Sequence, residues 1–161
     1  MQGSWRHKKS IPLLVLVLLA GCGGGDDDGG APEGKTVTAK VLTKLQSGVR
    51  AQVGQWVADI PVAPGDEPAF TVSKVISPVG NLNLGLRNST GEQHNLTIEE
   101  VGGGSIDTPF SRDTHGKALW LRSSLFEGKK YVFYCALHRK EGMEGTIVVD
   151  PSLSAEDLKP Y

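Results

Sequence analysis

From residue 35 to residue 150 β-branched residues and turn signals are frequent, no helical period is sustained, and several short runs set apolar side chains at every second position. A period of two confines such a chain to β structure, because successive side chains of a strand point to opposite faces. In 36–41, Val37, Ala39 and Val41 alternate with Thr36, Thr38 and Lys40; in 49–53, Val49, Ala51 and Val53 alternate with Arg50 and Gln52. A strand at 69–76 is predicted after the turn-rich PVAPGDEP, and 81–87 sets Leu82, Leu84 and Leu86 against Asn81, Asn83, Gly85 and Arg87. Runs at 96–100, 118–122, 131–135 and 146–149 bring the total to about eight short strands, the pattern of a sandwich or barrel. Residues 38–48 stay open, because Val41, Leu42 and Leu45 also share one helical face. The tail 151–161 offers one helical turn at 154–157.

The segment before this body has another purpose. Arg6, Lys8 and Lys9 precede a ten-residue apolar stretch, IPLLVLVLLA. A spanning helix needs about 20 apolar residues, so the stretch reads as a secretory signal. It ends in Leu19-Ala-Gly-Cys22, which resembles a bacterial lipobox, a signal whose Cys is lipidated and becomes the new N-terminus; the alternative is an ordinary signal peptide. Residues 23–34, GGGDDDGGAPEG, hold no large apolar side chain and read as a flexible tether. It would reach roughly 20 Å from a membrane anchor. The expected organisation is a signal at 1–21, lipidated Cys22 and linker at 22–34, one folded domain at 35–150 and a tail at 151–161. Loss of Arg6, Lys8 and Lys9 with the signal takes the 17 Lys and Arg to 14 against 18 Asp and Glu, a net charge of −4. Nucleic-acid binding has no support in that balance.

Cysteine usage narrows the chemistry. The chain has two Cys, and anchoring takes Cys22, which leaves Cys135 without a disulfide partner. A lone thiol in an oxidising compartment calls for a role. Cys135 opens CALHRKEGM, placing His138 and Met143 at C-x2-H-x4-M spacing. Thiolate, imidazole and thioether are donors that suit copper, and a strand-to-strand loop of this length can fold all three around one ion. A second imidazole must come from elsewhere. His7 leaves with the signal; His94 stands at a strand start after the Asn88-Ser-Thr-Gly turn, and His115 lies in the turn-like Asp113-Thr-His-Gly. Two His and one Cys in a plane with a weak axial Met is the blue-copper arrangement. Bound zinc is the alternative, although zinc loops rarely use Met.

Residues from about 70 to 149 resemble the plastocyanin/azurin family, the cupredoxins. The resemblance rests on YVFYC at 131–135, the C-x2-H-x4-M loop, GTIVV at 145–149 and His94-Asn95. Residues 35–68 match less clearly, and Trp56 departs from the pattern. The resemblance implies an all-β Greek-key sandwich of about 7–8 strands. It implies one type 1 copper ion near one end, held by His94, Cys135, His138 and Met143. It also implies that Asn95 braces the two ligand loops beside the sulfur, that Leu137 forms an apolar docking edge, and that Tyr134 is either a second electron exit or an exposed aromatic.

The expected function is a one-electron carrier working as a monomer, not an enzyme, lipid-anchored on the extracytoplasmic side of a bacterial membrane and served by redox-protein donors and acceptors. A copper-binding or copper-delivery protein without a redox partner uses the same ligands and is the alternative. Multicopper oxidases need further His clusters, and a binuclear copper centre needs two bridging Cys; the mature chain supplies three His and, in the domain, Cys135 alone.

Overall fold

The computed structural model describes residues 34–42, 55–99 and 103–154. The signal, Cys22, the linker to residue 33, the strand expected at 49–53 and the tail from residue 155 lie outside them. Among the described residues there are ten strands and no α-helix. They are β1 (Lys35–Thr38), β2 (Lys40–Val41), β3 (Trp56–Pro61), β4 (Val72–Ser77), β5 (Gly80–Arg87), β6 (Thr97–Glu99), β7 (Ser105–Asp107), β8 (Leu119–Leu125), β9 (Lys130–Tyr134) and β10 (Glu144–Val149). One sheet runs β1-β4-β10-β9-β6-β7 and the other β2-β3-β5-β8.

The expected run at 36–41 is two strands. It breaks at Ala39, which is wholly buried and donates its N–H to the Ile76 carbonyl at 2.7 Å. The chain changes sheets there, so β1 pairs with β4 in one layer and β2 with β3 in the other. The helical alternative for this stretch gives way to strand over its described part. Strand β3 was not expected. Ala58 and Ile60 face the main core, while Val57 packs on the opposite face with Leu42 and Trp120. With apolar side chains on both faces, Trp56-Val57-Ala58 lacks the alternation that marks a half-exposed strand. Strand β7, three residues beside a Gly run, carries too little pattern to be seen.

Leu82, Leu84 and Leu86 of β5 face the space between the sheets, where they meet Ile60, Val75, Leu121, Phe133 and Ile147 in one cluster. Each such burial is worth about 1.5–3 kcal/mol, which makes β5 the strand that ties the layers together. Tyr131 is buried with its polar end satisfied: its hydroxyl accepts the Phe126 N–H at 2.9 Å and donates to the Ser124 carbonyl at 3.3 Å. On β9 the alternation turns Tyr131 and Phe133 inward, and Cys135 follows in phase as the strand ends.

Two loops therefore meet at one end of the sandwich. β9 ends where β10 begins, since Tyr134 pairs with Glu144, and the start of β6 lies beside the same residue through Thr97. β1 runs parallel to β4, and β4 parallel to β10, so the chain comes into the fold at this end as well. Ser73 fixes it there by donating its hydroxyl to the Gly34 carbonyl at 2.7 Å.

Candidate metal centre

The first loop, between β5 and β6, holds His94. Its backbone exchanges hydrogen bonds with Ser111 in an isolated bridge, N–H to Ser111 O at 3.0 Å and O from Ser111 N–H at 2.9 Å. Behind it, buried Asn88 organises the turn, donating its amide to the carbonyls of Glu92 at 2.8 Å and Ser111 at 2.7 Å. The next residue, Asn95, joins this loop to the second: its Oδ1 accepts the Ala136 N–H at 2.8 Å, while Nδ2 donates to Thr97 Oγ1 at 3.0 Å.

The second loop, 135–143, closes on itself. Cys135 N–H donates to the Met143 carbonyl at 3.0 Å, and Met143 N–H to the His138 carbonyl at 3.1 Å. Between them Arg139–Glu141 makes one 3-10 turn, ended by Gly142 at φ 87°, where a side chain would be strained. The loop thus brings the backbones of Cys135, His138 and Met143 together, with Cys135 and Met143 fully buried and His138 half-buried.

The donor atoms of His94, Cys135 and His138 all lie within 4.8 Å of one another. The sulfur stands 3.8 Å from Nδ1 of His94 and 3.5 Å from Nδ1 of His138. Sulfur and nitrogen donors sit about 2.3 and 2.0 Å from such an ion, hence about 3.5–3.8 Å apart at bond angles between tetrahedral and trigonal. Both imidazoles thus present the same ring nitrogen to the thiol at the spacing that one shared ion requires. Burial pushes the His94 imidazole below its ordinary pKa, nearby His138 adds to this, and Glu92 opposes it. A neutral imidazole with a free lone pair is the form that binds metal.

Of the residues singled out from sequence, Leu137 is 50% exposed on this loop next to His138. Tyr134 is half-buried, and the Arg139 guanidinium lies over its ring, 4.0 Å from the centroid. His115 stands apart from the cluster, exposed in a turn at φ 51° and paired with Asp113 at 3.4 Å. Sequence reasoning missed Asn88, whose Asn-Ser-Thr-Gly setting signals a turn but not a buried amide. It also missed Arg139, since an Arg beside a ligand reads as solvated surface.

Two β-sheets packed face to face, with this loop pair at one end, make a cupredoxin-like Greek-key sandwich, and the His94, Cys135 and His138 donors fit a type 1 copper site. Among solved structures the chain is similar to auracyanin A, described as a blue copper protein from the photosynthetic bacterium Chloroflexus aurantiacus. The TM-score is 0.50 at 16% identity, covering 60% of this chain and 100% of that one. Auracyanin B aligns with a TM-score of 0.47 at 17% identity over 64% of this chain and 94% of that one. Plastocyanin from Dryopteris crassirhizoma aligns at 0.42 and 21% identity over 58% of this chain and all of its own. At 16% identity the likeness to auracyanin A speaks for the fold alone. No family model and no curated protein matches the sequence.

Proposed function

We propose that this protein is a type 1 copper protein that carries single electrons, tethered through Cys22 to the extracytoplasmic face of a bacterial membrane. The observation that carries this reading is the buried Cys135 thiol within 3.8 Å of two imidazole nitrogens, with Met143 buried on the same loop. Copper, when bound, supplies the one-electron couple. The chain's own residues do the rest. Cys135 and His94 come from separate loops that Asn95 ties together, so the donors are held by the fold in advance of the metal. A site fixed in this way changes little between oxidation states, which is what rapid electron exchange needs. The copper-loaded domain is expected to show an intense blue thiolate-to-copper absorption and to cycle reversibly; a coloured site that cannot be cycled favours copper delivery instead.

Electron exchange is assigned to the His138 edge, where Leu137 offers apolar surface to a redox-protein partner. Leu137→Glu should slow exchange with such a partner by roughly tenfold and leave the reduction potential nearly unchanged, because it alters encounter and not the ligands. Stopped-flow rates and voltammetry check this, and unaltered rates would move the exit away from Leu137.

On the anchor reading, the direction of β1 sets which end of the fold lies nearest the membrane. The chain meets the fold at the metal-bearing end, so a short tether would hold that end towards the membrane and towards partners embedded in it. Cys22→Ser should shift the protein from the membrane to the soluble fraction or leave the signal uncleaved, as read by fractionation and intact mass; an unchanged membrane fraction removes the lipoprotein reading.

A further inference from the structure

Residues 138–143 carry the outer half of the candidate site, yet their backbone hydrogen bonds close within 135–144. Ala136 is tied to Asn95, but it lies on the Cys135 side of the loop. The hold on the His138 side comes from a side chain. Arg139, directly after His138, reaches back across three neighbouring strands. It pairs with Glu99 of β6, approaches Glu144 of β10 at 3.4 Å, and lies over the Tyr134 ring of β9 at 4.0 Å. The register explains why these three are available together. Tyr134 stands opposite Glu144 on one side and Thr97 on the other, and Glu99 is two residues beyond Thr97 on the same face.

We propose that Arg139 is a positioning residue: held by Glu99, Glu144 and the Tyr134 ring, it fastens the His138 side of the loop to β6, β9 and β10. This rests on the copper reading only for its consequence, retention of the metal. The residue types fit the task. A guanidinium can hydrogen-bond two carboxylates in its plane and offer its face to an aromatic ring at the same time, whereas a lysine ammonium cannot. Single exposed ion pairs add little, and each of these carboxylates is partly exposed, but one cation shared by two carboxylates and a ring acts as a network. The arrangement also gives Tyr134 a second use: its ring is the platform on which the clamp rests.

Loosening the clamp should free the loop before it affects the sandwich. In the metal-free domain, Arg139→Gln is expected to speed hydrogen exchange at the Gly142 and Met143 amides by about tenfold, with the β5 and β8 amides unchanged. In the copper-loaded domain the same substitution should speed transfer of Cu(I) to a soluble chelator by about tenfold as well. Arg139→Lys should restore only part of each effect, and Tyr134→Leu, which keeps the arginine, should reproduce part of it. Unchanged loop exchange in Arg139→Gln overturns the proposal, as does faster exchange spread evenly over all strands, which would mark Arg139 as a general stabiliser. Should the wild-type domain give no blue band, the copper reading fails alone, because the exchange experiment on metal-free protein still decides the clamp.

Discussion

Cys135→Ser is expected to abolish the blue absorption of the copper-loaded domain, and His94→Ala to abolish it or change it beyond recognition, while His115→Ala leaves it intact. The colour requires electron donation from a thiolate, and a serine hydroxyl at the same place is a harder and poorer donor. Cys135 is the free cysteine among the described residues and is fully buried, so no neighbouring thiol can substitute for it. The two histidines differ by position, not by chemistry. His94 Nδ1 is 3.8 Å from the sulfur and its backbone is bridged to Ser111, whereas His115 projects into solvent from a turn. Copper affinity should fall by at least about 100-fold in both site variants, since each loses one of three clustered donors. Titration with Cu(II) under anaerobic conditions, followed by absorption and EPR, reads both colour and stoichiometry. A blue site surviving His94→Ala but lost in His115→Ala would refute the ligand assignment.

What the sequence disclosed and what it hid separate along physical lines. The ligand loop was legible because its chemistry is local: nine residues hold Cys135, His138 and Met143 at a spacing with few other uses. His94 lies 41 positions from Cys135 and was reached only through resemblance and the small number of histidines. The strands whose side chains alternate in kind were legible, as in β5, where Leu82, Leu84 and Leu86 alternate with Asn83 and Gly85, and in β9, where buried and half-buried residues alternate. Strand β3 was not, because Trp56, Val57 and Ala58 serve two clusters on opposite faces. The break at Ala39 was hidden too, for a strand that changes sheets keeps its period of two straight through the change. The contacts that hold the loops, Asn88 to Ser111 and Arg139 to Glu99, join residues 23 and 40 positions apart and depend on side-chain direction, which no local pattern records.

The same distinction governs Gly145, which carries the largest expected effect on stability. An added methyl within a strand ordinarily costs nothing and slightly favours folding, because alanine has less backbone freedom to lose than glycine. At Gly145 the sign should reverse. Its neighbour across β9 is Phe133, whose ring lies over the glycine so closely that an alanine Cβ would overlap the ring's far edge, and that Cβ would also stand 2.7 Å from the Ser73 carbonyl of β4. Neither obstacle can yield cheaply. The carbonyl is backbone in the adjoining strand, and the Phe133 ring is fully buried and packed at 5.6 Å against Phe70. Overpacking of this kind costs about 3 kcal/mol, which lowers the melting temperature by on the order of 10 °C in a domain of this size. The disturbance should also reach the metal centre, because Gly145 lies two residues after Met143 and Phe133 two residues before Cys135. Calorimetry on the metal-free domain gives the stability loss free of any contribution from binding. Adding Phe133→Leu to Gly145→Ala should then recover part of that loss, since the smaller side chain vacates the space the methyl needs, and the pair should deviate from additivity by about 1 kcal/mol or more. An unchanged melting temperature in Gly145→Ala would mean that the ring can move aside freely. In that case Phe133 would not be the fixed wall on which the Cys135 side of the site is built.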